Sequence, residues 1–399
     1  VIFAAVAHGA SRIANLSGGE DNHSTIEAFR TLGVNISGDD NLLSIEGKGW
    51  EGFSTPKKVI DCGNSGTTMR LLSGILAGRP FVSTLDGDVS LRRRPMKRIA
   101  EPLEKMGARI VSSDGRAPLE IHGAGLKGIH YATPVASAQV KSAILLAGLQ
   151  AEGVTVVEEP QQSRDHTEIM ARALGAKLEA RGRTVSVEGG RKLAAFDISV
   201  PGDLSSAAFF MAAAAMIPGS DVVIRGVGCN STRSGVIDVL RRMGASIELI
   251  DPRTAAGEPV ADIRVRGVRL KGVEIGPEMV ARTIDEYPII AVAAALADGE
   301  TAICGAKELR YKESDRIAVM TQQLRRLGVE VEERDDGMII EGRARLKGAA
   351  VQSAGDHRVA MSLAVAGLCA DGGVEIDDTA CADISFPGFF RMLERIAGA

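Results

Sequence analysis

Arg326-Leu327-Gly328-Val329-Glu330-Val331 joins the end of a helix-like segment to the start of an alternating one, and the same signature returns four more times. It reads TLGVNI at 31–36, KMGARI at 105–110, ALGAKL at 173–178 and RMGASI at 242–247. A glycine just after the last apolar position of an amphipathic run suits a left-handed helix cap, and the alternation behind it suits a strand. Residues 26–32 show the helical part, with Ile26, Phe29 and Leu32 on one face. The glycines Gly33, Gly107, Gly175, Gly244 and Gly328 divide the chain into units of roughly seventy residues. A unit of that length has room for a closed βαβαββ arrangement and is too long for a stacked helical hairpin.

Each unit carries a second signature, an apolar Ala-rich helix, a glycine and a β-rich run. The helices read LLSGILAG at 71–78, SAILLAGLQAEG at 142–153, FFMAAAAMIPG at 209–219, YPIIAVAAALADG at 287–299 and VAMSLAVAGLCADG at 359–372. Ahead of them stand Gly63-Asn64-Ser65-Gly66, Ser137-Ala138-Gln139, Asp203-Leu204-Ser205-Ser206, Asp285-Glu286 and Asp356-His357-Arg358, so polar groups recur at equivalent helix N-termini. The opening VIFAAVAHG, residues 1–9, reads as the back half of such a helix without its polar leader and without an initiating Met. The expectation is a partial or processed sequence.

The repeat arithmetic gives an α/β (α+β) protein of two pseudo-threefold domains with three βαβαββ repeats each, the first incomplete. At 399 residues each domain is large enough for its own core. The segment most like an inter-domain crossing is 224–234, which sets the expected domains at 1–229 and 230–399.

A net charge of −4 with both signs interspersed leaves no electrostatic footprint for nucleic acid or an anionic membrane. Five scattered cysteines, odd in number and without C-x-x-C spacing, suggest neither a disulfide framework nor a zinc site. No run reaches the roughly 18 apolar residues that span a bilayer. A soluble, cytoplasmic protein is expected.

The densest polar constellation is Lys312-Glu313-Ser314-Asp315-Arg316, read as opening a helix with Lys312 and Arg316 one turn apart on a shared face. It is either a solvated, salt-bridged first turn or an anion site, since cations at a helix N-terminus oppose its dipole. Asp356-His357-Arg358 is a cap with surface charges or a second anion site. Gly63-Asn64-Ser65-Gly66 is a glycine-rich helix entry whose free N–H groups suit a carboxylate or phosphate, and it is neither a Walker loop nor a dinucleotide fingerprint. In Arg92-Arg93-Arg94-Pro95, proline at a first helical position would aim Arg94 at the helix mouth and leave the other arginines in solvent. Asp285 or Glu286 reads as an N-cap by default and as a general base otherwise. Ser163-Arg164-Asp165-His166-Thr167-Glu168 offers a capping pattern and a phosphate-seeking arginine. Together these residues suit a cleft between two domains that binds more than one anion, with arginine where forked recognition is needed.

In order along the chain, GNSGTTMRLL, RRRPM, ASAQVKSAILLAGL, SRDHTE, IDEYPI, RYKESDRI, GDHRVAMS and SFPGF closely resemble the 3-phosphoshikimate 1-carboxyvinyltransferase family, the 5-enolpyruvylshikimate-3-phosphate synthases. The resemblance covers essentially the whole chain. It implies an inside-out α/β barrel architecture and an active site in the cleft between two three-repeat domains. It also implies transfer of the enolpyruvyl group of phosphoenolpyruvate to the 5-hydroxyl of shikimate 3-phosphate, with release of phosphate. No metal or organic cofactor, no nucleic acid and no membrane is implied, and a monomer is expected.

Carried over by motif, Gly66, Arg94, Gln139, Arg316 and Arg358 would hold phosphoenolpyruvate. Ser137, Gln139, Arg164, Asp285 and Lys312 would hold shikimate 3-phosphate. Asp285 would act as the base near the 5-hydroxyl, and Glu313 as the proton-transfer partner of the phosphoenolpyruvate methylene. Two departures stand out. The family's Gly-Asp-Lys-Ser-x-Ser-x-Arg motif, which supplies contacts to both substrates, is not in this sequence, so reduced activity is expected. Ile384 stands where many members carry a lysine, which puts one phosphoenolpyruvate contact in doubt, and Leu71 stands where many inhibitor-sensitive members carry proline. The alternatives are a UDP-N-acetylglucosamine enolpyruvyl transferase, against which ASAQ and KESDR weigh, and a catalytically silent ligand-binding homologue.

Overall fold

In the structure, a computed structural model describing residues 1–255 and 257–398, the five signature glycines all take positive φ, from +83° at Gly328 to +120° at Gly107. Each ends a helix and turns the chain into a strand, a conformation that an L side chain adopts only under strain. The helices are Glu20–Thr31, Lys97–Met106, His166–Ala173, Gly235–Arg242 and Arg316–Arg326. The turn is also latched. Three residues before the glycine, Arg30, Arg241 and Arg325 each donate from Nε and Nη2 to the carbonyl three residues after it, on Ile36, Ile247 and Val331, at 2.7–3.3 Å. In the second repeat Glu104 takes the equivalent place and accepts from the Ile110 N–H at 3.3 Å.

The chain forms two units, each with its own core. The first is Val1–Val200; the second is Pro201–Thr254 with the chain from Glu258 onward. The division therefore falls after Val200, where the sequence reading had placed it after residue 229. The helix Leu204–Met216 explains the difference. It is apolar on all sides, and its Phe209 and Phe210 rings lie 5.5 Å from Phe389 in the core of the second unit.

In the first unit each repeat builds one four-stranded sheet. The middle one runs Ile60–Asp61, Val82–Asp86, Arg116–His122, Arg109–Ser113 in spatial order, a parallel pair followed by two antiparallel neighbours. His130–Ala132, Val154–Glu158, Thr184–Glu188 and Lys177–Arg181 repeat it. The first sheet obtains its parallel edge from far along the chain: Asp197–Ser199 pairs with His8–Ala14, Arg12 opposite Asp197. The fourth strand of this sheet is thus supplied by the end of the same unit.

The second unit is less regular. Glu274–Ile275, Glu300–Ile303, Gly337–Glu341 and Glu330–Arg334 reproduce the four-stranded order. Asp221–Gly228, Glu258–Arg266 and Ser246–Ala255 form a three-stranded sheet, and Leu346–Val351 with Ala370–Ile376 a two-stranded one. Among the described residues, then, four of the six sheets have four strands and the other two have three and two, consistent with repeated βαβαββ units.

The Ala-rich helices are the interiors of these units. Every residue of Tyr287–Ala295 is buried, as expected for a helix apolar on all sides. Small residues let such helices touch at the backbone: a Cβ on Gly74 would lie 2.2 Å from the Ala143 carbonyl oxygen, so Gly66–Leu76 and Ala138–Gly148 pack directly. With the helix bodies filled by apolar contacts, polar side chains are left to their N-terminal ends. No helix of the described residues is long and apolar enough to cross a membrane.

Candidate active site

In the first unit the N-termini of Gly66–Leu76 and Ala138–Gly148 are joined by side chains. Ser65 caps the first helix, accepting from the Thr68 N–H at 3.1 Å, and Ser137 caps the second. Gln139 bridges the two, accepting from Arg70 Nη1 at 2.5 Å and donating to Thr67 Oγ1 at 2.8 Å. Arg94 arrives from the other side and donates to Asn64 Oδ1 at 2.6 Å; Asn64 in turn donates to Asp88 at 2.6 Å. Gly66 sits beneath both arginines: a Cβ there would lie 2.7 Å from Arg70 Nη1 and 3.2 Å from Arg94 Nη1. Two guanidinium groups, a side-chain amide and two helix N-termini thus converge beside Gly66, where the absence of a methyl group lets the two arginines approach the backbone. Each of these elements favours an anion.

Arg94 gets there by a route the sequence did not indicate. Val89–Arg93 is a short helix with Arg94 at its C-terminal cap, and the next helix starts at Lys97, so Pro95 is not a first helical residue. Arg92 and Arg93 are exposed, and Arg92 holds Asp86 in a bidentate pair at 2.9 and 2.6 Å. Arg94 is half-buried where Arg92 and Arg93 are exposed. Arg164 lies in the loop between Val154–Glu158 and His166–Ala173, partly buried. The capping pattern read in that loop does not form: Asp165 occupies the cap position without a side-chain cap hydrogen bond.

In the second unit three helices, Leu204–Met216, Tyr287–Ala295 and His357–Gly367, bring their N-termini together. Arg316 lies among them, 1 % exposed. Its Nε donates to Asp356 Oδ2 at 2.8 Å, and Nη2 donates to Glu313 at 2.7 Å and to Asp356 Oδ1 at 3.2 Å. Nη1 is 3.7 Å from Asp285 Oδ1, buried, and makes no hydrogen bond. Lys312 Nζ is 3.5 Å from the same Asp285 oxygen, and Arg358 donates to the Asp285 carbonyl at 3.4 Å. The sequence reading of Lys312 and Arg316 as turn-mates is overturned: Asp315 caps the helix by accepting from the Ala318 N–H at 3.0 Å, so Lys312 lies outside it. Both cations nevertheless reach Asp285.

Burial opposes the charge on Arg316, but Asp356 and Glu313 outweigh it and the guanidinium pKa is raised. Asp356, wholly buried, is likewise held below the usual carboxylate range because Arg316 overcomes the burial penalty. At His357 the nearby acids Asp356 and Glu313 do not prevail. Burial, with Arg358 adding to it, lowers its pKa from 6.5 to about 4, so it is neutral at neutral pH. The default reading of Glu286 as a helix cap also fails. Its carboxylate makes no cap hydrogen bond and instead accepts from Ser205 Oγ, while Arg233 bridges Ser205 Oγ at 2.8 Å and Asp203 at 2.7 Å.

Arg70, Asn64 and Arg233 belong to these clusters and were not singled out individually. Arg70 had a readable signal, standing one helical turn after Gly66 on the same helix face. Asp356 was read as a cap, which it is, accepting from the Arg358 N–H at 3.0 Å; its larger engagement with Arg316 depends on a contact 40 residues away in sequence. Among the described residues no group of three or more His, Cys, Asp or Glu is placed to hold a metal ion.

Residues 1–393 match the EPSP synthase (3-phosphoshikimate 1-carboxyvinyltransferase) family. The chain belongs to the EPSP synthase family. A 3-phosphoshikimate 1-carboxyvinyltransferase of Geobacter metallireducens is 54 % identical over 399 residues, covering 100 % of this chain and 93 % of that protein. The enzyme of the same name from Halorhodospira halophila is 53 % identical, over 99 % of this chain and 90 % of its own. A solved structure of EPSP synthase from Acinetobacter baumannii matches with a TM-score of 0.88 at 46 % identity, over 99 % of this chain and 91 % of that one. The repeated small sheets described above are therefore those of the EPSP synthase fold.

Proposed function

We propose that this chain transfers the enolpyruvyl group of phosphoenolpyruvate to the 5-hydroxyl of shikimate 3-phosphate and releases phosphate, on the route to chorismate and the aromatic amino acids. The observation that carries the reading is Arg316: a fully buried guanidinium, clamped on two edges by Asp356 and Glu313, with Nη1 buried and without a hydrogen bond. A buried charged donor left unsatisfied costs about 1–3 kcal/mol or more, and an anionic ligand reaching Nη1 would recover it. The comparisons lend no support to the expectation that this chain is impaired.

In this reading Gly66, Arg94, Gln139, Arg316 and Arg358 take the carboxylate and phosphate of phosphoenolpyruvate, while Ser137, Gln139, Arg164, Lys312 and Asp285 take shikimate 3-phosphate. Glu313 gives a proton to the methylene carbon as the 5-oxygen bonds to the adjacent enol carbon, and Asp285 accepts the hydroxyl proton. The adduct carries a methyl group, the phosphate and the new ether on one carbon. Loss of a methyl proton to Glu313, with cleavage of the carbon–oxygen bond to phosphate, yields the enol ether and inorganic phosphate, which carries off the proton that Asp285 accepted. Positioned proton transfer contributes about 10²–10⁴-fold, and holding two substrates together supplies a large further share.

The test is phosphate release from shikimate 3-phosphate plus phosphoenolpyruvate. Release that needs both compounds supports the reading. Release only when UDP-N-acetylglucosamine replaces shikimate 3-phosphate, or none with either acceptor, overturns it.

A further inference from the structure

Behind the helix that carries Ser137 and Gln139 lies a buried ion triad to which the proposed reaction gives no part. Lys141 is 1 % exposed, and its Nζ is 2.8 Å from Glu159 Oε2 and 2.8 Å from Glu168 Oε1; the two acids are 2 % and 1 % exposed. One cation with two carboxylates is an expensive choice for an interior. Replacing buried ion pairs by apolar side chains is often neutral or stabilising, so the triad is not explained by stability alone. Burial raises the pKa of Glu168 in spite of Lys141, and its second oxygen, Oε2, is buried without a hydrogen bond.

The triad's other contacts converge on one residue. Glu159 accepts from the Ser163 N–H at 3.3 Å and from Ser163 Oγ at 2.6 Å, and Lys141 donates to the Ser163 carbonyl at 3.4 Å. Ser163 is thus gripped at its amide, hydroxyl and carbonyl, and the next residue is Arg164. Glu168 fixes the first turn of His166–Ala173 on the far side of Arg164, and Ser142 with Thr167, hydroxyl to hydroxyl at 2.7 Å, ties the same two helices again. Arg164 is therefore carried on a short arc anchored at both ends to the helix whose N-terminus presents Ser137 and Gln139.

We infer that Lys141, Glu159 and Glu168 are positioning residues that hold Arg164 in register with Ser137 and Gln139 for the phosphate of shikimate 3-phosphate. The inference rests on the proposed function. Its consequence is selective: loosening the triad weakens the grip on shikimate 3-phosphate and leaves phosphoenolpyruvate binding and the chemical step nearly intact.

The experiment compares the wild type with Glu159→Gln, Arg164→Ala and the double variant, measuring kcat and both KM values. Glu159→Gln is expected to raise KM for shikimate 3-phosphate by roughly 10–30-fold, the scale of a misplaced charge-assisted contact, with the other constants within about threefold. In the Arg164→Ala background the same change is expected to add less than about twofold, because the triad acts through Arg164. An unchanged KM for shikimate 3-phosphate, or a full-sized effect that persists without Arg164, overturns the inference while wild-type turnover leaves the functional reading standing. A wild type without turnover overturns both. If Glu159→Gln does not fold, Glu168→Gln, which keeps the Lys141–Glu159 pair, enters the same cycle with the same expectations.

Discussion

Replacing Gly66 by alanine adds one methyl group at the point where both arginines of the first unit converge. Ordinary contact begins at 3.4 Å, so Arg70 Nη1, 2.7 Å from the new Cβ, must retreat by about 0.7 Å (3.4 − 2.7), and Arg94 Nη1, at 3.2 Å, by about 0.2 Å. Both atoms are the far ends of flexible side chains, so the fold can accommodate the change. Gly66 opens its helix without a positive φ, and alanine there is worth up to about 1 kcal/mol in helix stability. The retreat instead disturbs the Arg70–Gln139 hydrogen bond at 2.5 Å and fills the space proposed for the ligand's anionic group. Losing one charge-assisted hydrogen bond costs about 1.5–3 kcal/mol, which corresponds to about 10- to 150-fold in affinity. The expected result is a KM for phosphoenolpyruvate raised by that factor, a smaller change for shikimate 3-phosphate, and an unfolding midpoint equal to or above that of the wild type. A KM for phosphoenolpyruvate within twofold of wild type, in a protein that folds normally, would refute the placement of the anion at Gly66.

Three further outcomes follow from the same geometry. Arg94→Ala should lower kcat/KM by about 30- to 1000-fold, the scale of a lost charged contact to substrate, whereas Arg92→Ala, which removes only an exposed pair with Asp86, should stay within about twofold in the same assay. Asp356→Ala leaves buried Arg316 without the acid that accepts two of its hydrogen bonds and removes a helix cap, so denaturant unfolding followed by circular dichroism should show a loss of about 4–6 kcal/mol; Asp356→Asn, which keeps the cap, should lose less, and equal stability in all three proteins would count against the ion network. His357 is neutral and buried with a pKa depressed to about 4, so its contribution is present above 6.5 and lost as pH falls through 4; stability should drop by about 3 kcal/mol across that window, and a His357→Leu variant showing the same slope would refute the assignment.

The repeat was legible because it is local. A glycine at positive φ after a helix, and an apolar helix with polar groups at its mouth, are patterns within a few residues, and Gly33 through Gly328 display them one after another. What the sequence hid depends on contacts between distant segments. Nothing in Asp197-Ile198-Ser199 announces that it completes the sheet of His8–Ala14, and the apolar surface of Leu204–Met216 shows that the helix is buried without showing in which core. The charged run from Lys312 to Arg316 has the composition of a surface, yet Arg316 is among the most buried large side chains of the protein. Asp315 in front of Arg316 was the usable signal: an Asp at the start of a helix is a cap, and reading it as one would have moved Lys312 off the helix.

The charge balance around Arg316 has a consequence for how an anion enters. Arg316 and Lys312 stand against Asp285, Glu313 and Asp356, and Arg358, which donates to the Asp285 carbonyl, also faces Asp203, so the cations here are already matched by carboxylates before any ligand arrives. That matching makes a buried arginine tolerable. It also means that a phosphate- and carboxylate-bearing ligand brings excess negative charge, at a cost of about 4 kcal/mol per close pair of like charges at an effective dielectric of 20. A carboxylate must then move away or take up a proton. Asp356 is wholly buried and held ionised by Arg316 and Ser314, so the more accessible Glu313, 23 % exposed, is the group expected to gain the proton. A protonated Glu313 is also what the proposed donation to the methylene carbon requires, so binding would arm the acid. Calorimetric titration with a non-reactive phosphonate–carboxylate analogue, in buffers of different ionisation enthalpy, should show uptake of roughly 0.3–1 proton near neutral pH, and Glu313→Gln should abolish it. Zero uptake by the wild type, or equal uptake by both proteins, would place the compensating charge elsewhere and remove Glu313 from the proton path.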